Sequence, residues 1–215
     1  MAQSEGVTAG QIAGYSYGKP DVSSSPITDE QFEEMKKGAR FDERDVAYLR
    51  KAGEVLREYV SEIVHLWRDH IISTIPHLAQ HSRSPEGKPI PEYLAKSNLR
   101  FEQWILDTCL RPYDRTWLDY QNEIGLRHTA LKKNQTDGVA STPHIPLRHI
   151  LPFVAVMNAT LKPYLAKQGD TNEDVEGMYL AWSKSMQMQI AIWTESYKEA
   201  AVTAISDGSE RSAAG

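Results

Sequence analysis

The chain has a single cysteine, Cys109, in 215 residues. No intrachain disulfide framework is possible, which suits a reducing cytosol. Positive charge is also short, with 24 Lys and Arg against 29 Asp and Glu and a net charge of -5. Nucleic acid is therefore not expected as a partner, because phosphate binding needs a clustered basic surface. No apolar run approaches the roughly 20 residues of a membrane span. Met1 to Gly14 lacks the basic start and long apolar stretch of a secretory signal. A cytoplasmic protein that does not engage membranes is expected. No Ser/His/Asp or Cys/His set, phosphate-binding glycine loop or paired-carboxylate motif stands out. Strand alternation and internal repeats are missing too, so the pattern predicts an all-α chain, long enough for one core.

What is present is helical spacing. Residues 1–13 are small and polar and are expected to be a flexible segment. One domain is expected over 14–200 and a disordered tail over 201–215. Thr28 followed by Gln31 predicts a capping box opening a short helix that stops near Gly38. Leu49, Gly53, Leu56, Val60, Ile63, Trp67 and Ile71 recur from Asp45 to about Thr74, a span suited to two helices. Pro76 to Pro91 reads as the main loop. Helices follow over Leu94 to Thr108, around Trp117 to His128, from about Pro146 to Gly169, and from Thr171 onward. Pro152 predicts a kink or a late start in the third of these.

The stretch from Trp117 to His128 is the most informative. Trp117, Gln121, Ile124 and His128 share one helical stripe, which Tyr120 and Leu131 widen. A histidine thus ends an inward-facing surface. It can be a satisfied core histidine, or a neutral imidazole aimed into an apolar crevice, as a haem iron requires.

Trp117-Leu-Asp-Tyr-Gln, Glu123-Ile-Gly-Leu-Arg-His128 and Lys132-Lys-Asn-Gln-Thr-Asp137 resemble the proximal segment of the protoglobins, single-domain relatives of globin-coupled sensors. Gly14-Tyr-Ser-Tyr-Gly18, Lys51-Ala-Gly-Glu-Val-Leu56, Trp104-Ile-Leu-Asp-Thr108, Pro143-His-Ile-Pro-Leu-Arg148 and Met178-Tyr-Leu-Ala-Trp-Ser-Lys-Ser185 resemble further protoglobin segments in the same order. The resemblance implies a globin fold, a helical sandwich around haem with an extra N-terminal helix and loop. It also implies His128 as the proximal iron ligand, with Tyr120 and Ile124 on the same helix. Trp67, Phe101 and Phe153 would line the distal pocket, with Met157 beside Phe153. Without a Cys-x-x-Cys-His motif, the haem would be non-covalent haem b.

Arg68 departs from the family, which typically carries a tyrosine there. Its guanidinium either swings to solvent or a propionate, or sits over the iron beside a polarised oxygen or an anion; desolvation cost favours the first. Ser183, Met157 and Asn158 depart as well, which leaves the pocket wall open to difference. His70 offers a possible sixth ligand, against the plainer reading of a solvated histidine. Tyr15 and Tyr17 resemble the loop that folds over the propionate edge. Arg100 is a candidate propionate partner or a solvated arginine. Cys109 reads as a small buried hydrophobe.

The leading expectation is reversible ligation of diatomic gases: dioxygen, carbon monoxide or nitric oxide. A haem enzyme acting on nitric oxide, nitrite or peroxide is the alternative. The resemblance adds carbene transfer when precursors are supplied. A gas sensor would need a separate partner chain, because no output module follows the last helix. The resemblance also implies a homodimer through the last two helices.

Overall fold

The computed structural model describes residues 9–168 and 170–213. Among them there are helices and turns, one isolated bridge between Arg83 and Pro89, and no strand. The principal helices are α1 (Asp29–Gly38), α2 (Glu43–Leu56), α3 (Val60–His65), the short α4 (Pro76–Ala79), α5 (Pro91–Leu110), α6 (Arg115–Leu126), α7 (Leu147–Leu165) and α8 (Asn172–Ala213). None is long and apolar enough to cross a membrane.

Local chemistry sets the starts. Thr28 and Gln31 form the expected capping box on α1. Asp42 and Asp45 form a second one on α2. Pro91 opens α5, where a missing N–H costs nothing. The span from Asp45 to Thr74 breaks at Arg57–Tyr59, so two helices share it as expected. The second does not remain α-helical. After α3 the backbone widens into a π turn over Leu66–Ile71, then tightens into a 3-10 turn over Ile72–Thr74. The loop expected over Pro76 to Pro91 carries α4 and a 3-10 turn at Gln80–Ser82. α7 starts at Leu147 and runs through Pro152, which leaves the Arg148 carbonyl without the N–H four residues on.

α8 packs against α2, α6 and α7, while α5 lies against α2 and α3. Leu49, Leu56, Ile63, Trp117, Leu161, Met178, Trp182 and Met186 are fully buried between these layers. The flexible segment expected over 1–13 lies outside the described residues as far as position 8. In its remainder Ala9–Gln11 make a 3-10 turn, and Ile12 is buried with Tyr15 and Tyr120. The helical backbone of α8 continues to Ala213, across most of the expected tail. Gly169, read as a helix stop, lies outside the described residues, and α7 ends at Leu165.

Candidate functional site

A cavity with about 1320 Å³ of atom-free space, its open mouth included, lies between the π turn, α5, the end of α6, α7 and α8. Phe101, Trp104, Ile124, Ile150, Phe153, Met157 and Trp193 give it an apolar body. Arg68, Ser97, Arg100, Arg127, His128 and Lys133 add polar groups at separate points. A large apolar hollow with few polar groups is the usual form of a cofactor or small-molecule site.

His128 stands on this wall, just beyond α6 rather than within it. α6 ends at Leu126, and the His128 N–H donates to the Gly125 carbonyl at 3.0 Å in a tightened turn. The ring is held twice. Its Nδ1 lies 2.7 Å from the Ile124 carbonyl oxygen, so Nδ1 carries the proton and donates it. Its face stacks on Trp193, centroids 5.6 Å apart and planes 26° from parallel. Burial pushes the His128 pKa down to about 4, outweighing the opposing pull of the Ile124 carbonyl. The imidazole is therefore neutral near pH 7. Among the described residues Nε2 has no hydrogen-bond partner, so its lone pair is free for a metal ion.

Phe101, Phe153, Met157, Tyr120, Ile124 and Arg100, all singled out in the sequence, reach the wall. Trp67 does not. Its indole lies behind Phe101, ring centroids 5.2 Å apart, and its Nε1 donates to Thr160 Oγ1 at 2.8 Å. Trp67 is fully buried and stiffens the wall from the second layer. Tyr15 and Tyr17 also stand one layer back. Both meet Tyr120 edge-on, at 5.5 and 5.3 Å. Tyr15 donates its hydroxyl to buried Asp107 at 2.6 Å, and burial raises its pKa far above the usual phenol value. Arg100 donates to the Ala13 carbonyl and Arg127 to the Gly14 carbonyl, both at 2.7 Å. Gly14 sits there at φ 75°, where a Cβ would meet Arg100 and Thr136. The N-terminal loop is thus pinned by two arginines that also line the cavity.

His70 is exposed and is not among the cavity's lining residues. The π turn is the reason: an i→i+5 turn changes the angular spacing that would have stacked His70 over Trp67. Ser183 is not on the wall, and Asn158 accepts from Trp182 Nε1 at 3.0 Å instead. Of the two places expected first for Arg68, solvent or a propionate, open solvent is not where it lies. It stays on the wall because Nη2 donates to Ser97 Oγ at 2.7 Å and the guanidinium carbon lies 5.2 Å from the Phe101 ring centre. Burial lowers its pKa.

Three wall residues had no clear signal in the sequence. His81 lies in the region read as a loop, with Nε2 2.9 Å from Nδ1 of His149, which also lines the cavity. Lys133 is buried within a polar connection, where solvation is the ordinary expectation. Its ammonium donates to the His81 carbonyl at 3.1 Å and Ser141 Oγ at 2.6 Å. Among the described residues no group of three or more His, Cys, Asp or Glu side chains is arranged to hold a metal ion alone. His128, buried and neutral with Nε2 unengaged, is a donor suited to a metal that arrives within its own macrocycle.

No curated protein matches the chain. The family model for protoglobin matches residues 28–202. That match spans α1 through most of α8 and every wall residue of the cavity, so the chain belongs to the protoglobin family, which implies a haem cofactor and a gas-binding role.

Proposed function

We propose that the protein binds haem b in this cavity through Nε2 of His128 and reversibly ligates dioxygen, carbon monoxide or nitric oxide. The observation that carries the reading is the His128 ring: neutral, fixed in one tautomer by the Ile124 carbonyl, and unengaged at Nε2. Cys109 is buried away from the wall, with its thiol pKa pushed up by burial, so no thiolate competes as ligand. Bound haem supplies iron with a coordination position for a diatomic gas. The chain supplies the rest. Trp193 and the Ile124 carbonyl aim His128. Phe101, Phe153 and Met157 would exclude water from the cavity, with Trp67 backing Phe101. Arg100 and Arg127 fasten the N-terminal loop beside Tyr120.

The test is the absorption spectrum of purified, haem-reconstituted protein, ferric and ferrous, with and without carbon monoxide, beside His128→Ala. A Soret band that shifts with carbon monoxide, and that the substitution weakens or displaces, is the expected result. No Soret band after reconstitution would end the haem reading. A second reading, turnover of nitrite, nitric oxide or peroxide, is favoured by Arg68, a cation on the wall where a gas carrier needs none. Steady-state consumption of nitrite or peroxide separates turnover from binding. Leu151 on α7 and Leu180 on α8 are exposed, which supports a homodimer through these helices.

A further inference from the structure

Four arginine and lysine side chains reach the cavity wall: Arg68, Arg100, Arg127 and Lys133. Two have carboxylate partners. Arg100 pairs with Asp137 at 2.5 Å, and Arg127 with Glu123 at 2.9 Å. Among the described residues the other two form no ion pair, although the charges of Asp69 and Arg100 act on Arg68 at longer range. Arg68 donates to Ser97 Oγ, and its buried Nε has no hydrogen-bond partner there. The Lys133 ammonium donates to oxygens of His81, Ser141 and Asn134, none of them charged. Asp137 also lines the cavity, but both its oxygens are taken by Arg100. A buried cation without an anion is costly, and an orphaned buried guanidinium N–H adds to that cost. Lys133 also feels Arg68: burial, then the charge of Arg68, lowers the Lys133 pKa to about 8. Placing an anion between these walls would relieve both penalties.

We propose that the cavity holds an oxyanion at Arg68, with Lys133 supplying a second positive charge to the same site. The inference rests on the haem reading above and adds the charge of a second ligand. One chemistry, a small planar oxyanion or carboxylate, has two sources. It is a free anion of the nitrite class, or a propionate of the cofactor. Arg68 suits either, because its planar fork matches both geometries.

The experiment uses haem-reconstituted full-length protein, wild type beside Arg68→Met, Arg68→Lys and Lys133→Gln. Sodium nitrite is titrated into the ferric form, followed by the Soret band. Carbon monoxide affinity of the ferrous form is the neutral control, and haem transfer to an excess of an apo-acceptor gives cofactor retention. A free-anion site predicts nitrite affinity at least about tenfold weaker in Arg68→Met, partly restored in Arg68→Lys, with carbon monoxide affinity and haem retention near wild type. A propionate site predicts faster haem loss in Arg68→Met and Lys133→Gln with nitrite affinity unmoved. Either result supports the anion site and names its source. Unchanged nitrite affinity together with unchanged haem retention in both charge-removing variants overturns it. A Soret band in every variant shows that the haem reading survives such a failure. If no band forms at all, calorimetric titration of nitrite into the apoprotein still tests the two cations, with absence of Arg68-dependent heat as the overturning result.

Discussion

At the residue scale, burial keeps two imidazoles of this cavity, His128 and His81, neutral near pH 7. His81 shows what that costs. Burial, with the neighbouring charges of His149 and Lys133, lowers its pKa to about 4 from an ordinary 6.5. The folded state therefore favours the neutral ring, and the unfolded chain takes up the proton first. The stability held by this group is complete above about pH 6.5, drains away as pH falls toward 4, and changes no further below that. Its size is roughly 2–3 kcal/mol. His81→Gln keeps groups able to meet Thr142 and His149 but cannot titrate. Urea unfolding at about pH 7 and about pH 4 should show a smaller loss of stability in the variant by that amount. Parallel losses in variant and wild type would mean that His81 is protonated in the folded protein. Trp67 makes the complementary point for a hydrogen bond. Its indole N–H has one acceptor, Thr160 Oγ1. Thr160→Val should cost about 1–3 kcal/mol in thermal unfolding, the penalty of a buried donor left unmet. A neutral substitution would mean that the indole finds another acceptor.

At the scale of elements, the contact between α6 and α8 aims the site. Gly125 lies at a close approach of the two helices. A Cβ there would strike the Ser196 hydroxyl, come within 2.8 Å of Ser196 Cβ and reach 3.1 Å from Trp193 Cα. Backbone as well as side chain must then move, and Trp193 is the ring that His128 stacks on. Gly125→Ala is expected to cost about 1–3 kcal/mol as overpacking and to speed haem loss from the reconstituted protein. Lower stability with unchanged haem retention would separate the helix contact from the aim of His128. Such elements were legible in the sequence to different degrees. The stripe through Trp117, Gln121 and Ile124 identified α6 and brought His128 to its end, because apolar period and helical pitch agree. Leu94 to Thr108 gave α5 for the same reason. The break after Leu56 was legible only as a matter of length, since Val60 and Ile63 continue the spacing across it. The π turn carries no periodic signal at all, so the placing of Arg68 on the wall and His70 in solvent depends on a backbone change that residue types do not announce. Lys133 and His81 escaped for another reason. Their positions depend on how two connections fold over the cavity, which is set by partners distant in sequence, His81 for Lys133 and His149 for His81.

At the scale of the whole molecule, two connections stand out against a rigid frame. The stretch from α4 to α5 contributes Leu78, His81 and Ser82 to the wall, and the stretch from α6 to α7 contributes Lys133, Thr136, Asp137 and Ile145. They are joined by polar contacts between Lys133, Ser141 and His81, whereas α2, α6 and α8 share the dry core of Leu49, Trp117 and Met186. Stability should therefore be uneven: high in the frame, low over the cavity. A cofactor that binds only the folded state adds stability by mass action, about 2.7 kcal/mol when free haem stands at a hundred times Kd. For a chain of this size that is about 5–10 °C in Tm. The gain should be local in hydrogen exchange. On reconstitution, amides in 76–90 and 127–146 are expected to slow most, while those of α2 and the first half of α8 change little. Uniform slowing across the chain would mean that the apoprotein lacks the frame itself, and that haem completes the core instead of filling a cavity already built.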